Sequence, residues 1–183
     1  MKKLNQKSTA IMKIEKDINR LKKLNACSEA IEYLRKFKSL DEAWRKCERG
    51  DWMLWYAGRL AKSPRSKSRK LLVLTACKCA RLALKYIPKE EKRPLKAIQT
   101  AEKWARGEAV SLQDVRDAAA DADAAYAAAA YDADAAYAAD VAYAAYAAYA
   151  ADVAHAAREK VLKKCAYIVR KNYPNPPKKQ PRG

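Results

Sequence analysis

Histidine occurs once in the 183 residues, phenylalanine once and glycine four times, and each scarcity closes off a kind of chemistry. With one histidine and no Cys-x-x-Cys pair, the usual donor set of a zinc site is missing. Cys77 and Cys79 stand two apart on an expected helix and so point to nearly opposite sides, which prevents them from holding one ion. Four scattered glycines form neither a glycine-rich phosphate loop nor a Gly-x-Ser-x-Gly elbow. His155 follows Asp152 by one turn, a spacing able to orient an imidazole for acid or base work. A lone helical histidine is far more often packed or solvated. The sequence therefore implies no metal, no cofactor and no catalytic residue, and the protein reads as a non-enzyme.

Long apolar runs are also lacking. The start, MKKLNQKSTAIMKIEKD, is basic but has no run of about seven apolar residues, as a signal peptide would. The longest Asp-free interval of the alanine tract, Val141 to Ala151, is well short of the ~20 residues needed to cross a bilayer. Five cysteines (Cys27, Cys47, Cys77, Cys79, Cys165) at irregular spacings suit free, mostly buried thiols better than a secreted disulfide framework. A soluble, cytoplasmic protein with no membrane partner is expected. Alternating β-branched residues and Asn-Gly or Asp-Gly turns between apolar runs are absent, which leaves an all-α fold.

What the chain has in excess is charge and alanine. Lys and Arg number 39 against 21 Asp and Glu, a net charge of +18. The excess is uneven: residues 1–110 carry 29 basic and 12 acidic groups, residues 111–157 carry 1 and 8, and residues 158–183 carry 9 and 1. A basic body thus encloses an acidic tract, and anionic partners come into question.

Helical periodicity runs through the basic body. Leu4, Ile11 and Ile18 recur every seven residues, with Ile14 and Leu21 beside them, predicting a basic amphipathic helix within residues 1–25. It is expected to lie on the domain surface. ACSEAIEYLRKF follows, with Ser28 as its expected cap, and Ser39 and Glu42 have capping-box spacing before LDEAWRKC. Gly50 is expected to end that helix and Asp51 to cap the next, WMLWYAGRLA. SPRSKSRK (63–70) reads as a loop that leads into the central helix LLVLTACKCARLALKYI, which Pro88 stops. Pro94 opens and Gly107 closes LKAIQTAEKWA. From Ser111 a helical reading continues to Pro174, about 90 Å of helix if unbroken, with YDADA (131–135) and AADVA (150–154) as candidate breaks. Residues 174–183, basic and proline-rich, are expected to be disordered. The sum is a bundle of six to eight helices.

The tract itself repeats DADAAY at 121–126 and 132–137, a period of 11 that keeps equivalent positions nearly in line along a helix. So much alanine gives close approach but little apolar area. The expected role is an internal scaffold docked by tyrosine packing and by Lys or Arg from the basic helices. An exposed acidic surface is the alternative. Threonine is absent from 111–157, which argues against an ice-binding face.

Arg49, Asp51, Trp52, Trp55 and Arg59 form the candidate partner-binding constellation. Either they are structural, with Asp51 capping, the tryptophans in the core and the arginines on tract carboxylates, or they line a cleft of Trp faces and Arg forks. Such a cleft suits a nucleotide-like anion or an acidic loop of a protein. Lys62, Arg65, Lys67, Arg69 and Lys70 form a second candidate, a basic surface able to track a nucleic-acid backbone.

The run EAWRKCERGDWMLWYAGRLA (42–61), then TACKCARLALKYIP, then an Ala/Asp/Tyr-rich tract ending in LKKCAYIVRKNYP, resembles a family of all-helical bacterial and phage immunity proteins of polymorphic toxin systems. The resemblance covers about residues 26–173 and is most specific at Cys47 to Trp55. It implies an all-helical immunity-like domain there and a non-enzymatic protein that protects its host by binding a toxin. The expected function is thus binding and neutralisation of a macromolecular effector, a toxin or, for a phage-encoded chain, a host defence component. The alternative is binding of nucleic acid or an anionic nucleotide through the basic surface.

Overall fold

The computed structural model describes residues 2–61, 63, 66–86, 89–124 and 155–178, and among them it forms eight α-helices and no strand. The candidate breaks at 131–135 and 150–154, the second DADAAY repeat and the tyrosines of the tract lie outside the described residues.

Helix α1 (Lys2–Lys23) turns Ile18 (1% exposed) and Leu21 (6%) into the main core, with Ile14 packed beside them. It ends in a Schellman motif: Asn25 takes φ 61, its N–H reaches the Lys22 carbonyl, and the Ala26 N–H reaches Leu21. Asparagine is among the few non-glycine residues that tolerate this left-handed position. Helix α2 (Ser28–Arg35) begins one residue earlier than expected. Cys27 holds the cap position and makes no side-chain cap bond, so Ser28 is not the cap. Ser39 does cap α3 (Leu40–Lys46), accepting from the Glu42 N–H at 3.2 Å. The Glu42 carboxylate, however, accepts from the Lys38 N–H, one residue before the partner that a capping box prescribes.

Gly50 does not end α3. That helix stops at Lys46 with Cys47 extended, and Gly50 is the first residue of α4 (Gly50–Leu60). Asp51 is no cap either; it sits in the first turn of α4, where a carboxylate complements the helix dipole. The glycine is required for another reason. A Cβ there would lie 2.4 Å from Cys165 Cβ and 2.6 Å from the Ala166 nitrogen, so α4 meets the last helix, α8 (His155–Asn172), almost backbone to backbone.

Helix α5 (Lys67–Ala80) starts inside the stretch read as a loop, because Ser66 accepts from the Arg69 N–H and caps it. It also ends well before Pro88, passing through a turn into a 3-10 helix at Leu84–Tyr86. It is the central helix, packed against α4, α6 and α8, with Leu72, Val73 and Cys77 fully buried. Helix α6 (Arg93–Arg106) has Pro94 in its first turn and Gly107 at φ 86 as its C-cap, both as the sequence predicts. Arg81 binds Glu102 through two bonds of 2.9 and 2.7 Å, tying α5 to α6.

Helix α7 (Leu112–Ala124) opens with a reciprocal box, Ser111 and Asp114 each accepting the other's backbone N–H. Ala118, Ala119 and Ala122 close on Ala97 of α6, and Val115, 1% exposed, joins the main core. From Ala118 on, small side chains and close approach do the docking. The exposed carboxylate of Asp117 takes a bond from Gln113 on the same helix.

The C-terminal end of α8 clamps the α3–α4 connection. Arg170 donates to the Cys47 carbonyl, and Trp44 Nε1 donates to the Tyr173 carbonyl at 2.8 Å. Trp44→Phe keeps an aromatic ring but removes the donor and part of the buried indole, leaving that carbonyl unsatisfied. The expected result is a loss of about 1–2 kcal/mol in urea unfolding, with the far-UV spectrum unchanged.

Candidate partner-binding face

Four of the five constellation residues lie along one side of α4, because steps of three and four residues return to the same face of a helix. Arg49 immediately precedes the helix, with its guanidinium 4.1 Å from the Trp52 ring; Arg59, near the end, lies 5.8 Å from the Trp55 ring. The result is an Arg-Trp-Trp-Arg ladder in which both tryptophans are half-buried and Arg59 is exposed. Stacking on an aromatic face holds a guanidinium flat and limits its rotamers.

Each arginine is held a second time. Arg49 forms a fork with Asp51, Nε to Oδ1 at 2.9 Å and Nη2 to Oδ2 at 2.5 Å, and Arg59 Nε donates to the Leu24 carbonyl at 3.2 Å. These contacts are made outside the tract, whose residues 125–154 lie outside the described ones. Asp51 is 7% exposed and faces inward, so it positions Arg49 and offers nothing to a partner. Tyr33 of α2 and Phe37, two residues beyond its end, extend the aromatic surface, Tyr33 lying 5.7 Å from Trp52 and 4.9 Å from Phe37. The sequence reading missed both. Their signal is present, an aromatic pair four apart in the sequence.

Among the described residues no nucleotide-sized cleft opens under the ladder. The hollow bounded by Trp52, Trp55, Tyr33 and Trp44 measures about 50 Å³ and is almost wholly apolar, room for little more than a water molecule. A flat contact surface is what the tryptophans and arginines offer.

The second candidate is described only in part, and one of its described residues turns inward. Lys62 and Arg65 lie outside the described residues. Arg69 is 6% exposed and donates to the Ala61 carbonyl at 3.1 Å, which makes it an interior tie between the α4 end and α5. It is no surface cation, because the first turn of α5 faces α4 at that position. Lys67 is exposed and Lys70 half-buried. Among the described residues no three His, Cys, Asp or Glu side chains gather as a metal ion would require, and no helix is long and apolar enough to cross a membrane.

The matched helices give the class first: an all-α bundle built on α5, with no strand among the described residues. A family model for the Imm-5 like putative immunity protein matches residues 62–170, and the chain belongs to that family. No curated protein and no solved structure matches it. The matched span takes in α5 to α8 and is narrower than the resemblance drawn from the sequence. Cys47 to Trp55, its most specific part, falls outside, and with it the whole Arg-Trp ladder.

Proposed function

We propose that the protein binds a toxin protein stoichiometrically and neutralises it without catalysis, using the side of α4 that carries Arg49, Trp52, Trp55 and Arg59. Membership of the immunity family supports the kind of partner. The ladder supports the place: tryptophan and arginine are the residue types that most often dominate binding energy at interfaces, and here stacking and the Asp51 fork hold them in position before any partner arrives. Lying outside the span that the family model matches, the ladder is where a chain-specific partner would be distinguished. Cationic forks and flat rings suit an acidic, loop-borne surface of the toxin. Nucleic-acid binding through Lys62 to Lys70 has less to stand on, since Arg69 is turned inward.

The test is a titration of the purified protein against a candidate toxin protein, with Trp55→Ala and Arg59→Ala as variants. Each is expected to weaken the complex by about 2 kcal/mol or more, roughly thirtyfold. The bond from Arg59 to Leu24 accounts for only about 1 kcal/mol of folding stability. A complex that keeps its affinity while the variants lose thermal stability would assign the ladder to structure alone.

A further inference from the structure

Away from the ladder, a cleft of about 330 Å³ lies between α1, the start of α3, the middle of α4 and the C-terminal segment. Its size falls within the range of small-molecule sites. Four cations border it: Lys13, Lys16 and Arg20 from α1, and Lys178 from the segment after α8. Two carboxylates also border it, and both are engaged. Asp41 pairs with Lys13 at 3.6 Å, and Asp17 accepts from the Leu40 N–H at 3.0 Å. Among the described residues no carboxylate lies within ion-pair distance of Lys16, Arg20 or Lys178. The cleft thus carries a surplus of two positive charges.

At its base stands Tyr56, 3% exposed, whose hydroxyl is buried with no hydrogen-bond partner. Tyr56 lines the cleft, and Arg20 lies over its ring at 5.7 Å from the centroid. Burial pushes the Tyr56 hydroxyl up to about 12, so the group is a donor at any physiological pH. A buried hydroxyl without a partner is an unusual thing for a fold to keep. The rest of the wall is apolar: Leu40, Pro176 and Pro177.

We infer that this cleft binds a phosphate monoester of about mononucleotide size, with Lys16, Arg20 and Lys178 around the phosphate, the Tyr56 hydroxyl donating to it, and the organic part against Leu40, Pro176 and Pro177. A dianion matches the surplus charge, and the cleft is too large for a bare phosphate to fill. The site is separate from the ladder and does not depend on the toxin reading.

Isothermal titration of the full chain decides it, with adenosine 5′-monophosphate, inorganic phosphate, neutral adenosine and a short polyglutamate peptide as probes. The monophosphate is expected to bind saturably, inorganic phosphate more weakly and adenosine not at all, with affinity falling as salt rises. Tyr56→Phe should cost about tenfold in affinity without lowering Tm, because the hydroxyl it removes makes no bond in the unliganded fold. Lys16→Gln and Lys178→Gln alter exposed side chains that do not threaten folding, and each should weaken binding several-fold. Absence of phosphate binding, binding unchanged in all three variants, or binding of the acidic peptide alone would overturn the proposal.

Discussion

Gly50→Ala is expected to destabilise the protein by about 3 kcal/mol or more, beyond what one added methyl usually costs in a packed core. The added Cβ would sit 2.4 Å from Cys165 Cβ, 2.6 Å from the Ala166 nitrogen and 2.8 Å from the Cys165 carbonyl carbon. Two of those three atoms are backbone of α8, so no rotamer change relieves the clash and the two helices must part. Parting them strains the clamp, because Arg170 and Tyr173 hold the Cys47 carbonyl and Trp44 from the same side. Urea unfolding of Gly50→Ala, alone and with Cys165→Gly, measures the effect. Removing Cys165 Cβ takes away the nearest contact and leaves the Ala166 nitrogen at 2.6 Å, so rescue should be partial. A single variant as stable as the parent would show that α4 and α8 do not meet this closely.

That glycine also shows what a single sequence conveys. A glycine after a short helix is a common stop signal, and Gly107 obeys the rule, whereas Gly50 serves a contact with a residue 115 positions away. Local periodicity placed the helices, because amphipathic spacing and caps such as Ser39 and Ser111 act within a few residues. It placed Trp52, Trp55 and Arg59 on one face for the same reason. It did not tell which of several arginines turns inward, since Arg69 is buried only because α5 presents its first turn to Ala61. The cleft was beyond local reading altogether: Asp17, Tyr56 and Pro176 come together only through the tertiary fold.

Raising the pH above about 9 is expected to destabilise the protein progressively, with the loss reaching several kcal/mol by pH ~10.5. Cys47 and Cys77 are buried thiols, and burial pushes them from 9.0 up to about 11 and about 12 respectively. A hydrogen bond with Cys165, together with burial, pushes Cys79 up as well. Below pH 9 folded and unfolded chains both hold these protons, and the stabilisation is fully present. Above it the unfolded chain releases them while the folded chain retains them, so stability falls as pH rises toward the folded values. Each retained proton costs about 1.4 kcal/mol per pH unit, so Cys47 and Cys77 together remove about 4 kcal/mol by pH ~10.5. That is a large share of the ~5–15 kcal/mol of an ordinary domain. Tyr33, Tyr56 and Tyr173, each pushed from 10.0 up to about 12 chiefly by burial, add to the fall above pH 10. Urea midpoints between pH 7 and 10.5 under a reducing agent measure the slope. A Cys47→Ala, Cys77→Ala double variant should begin less stable at pH 7, from lost packing, yet decline less steeply. An equal slope in parent and variant would place the alkaline sensitivity elsewhere.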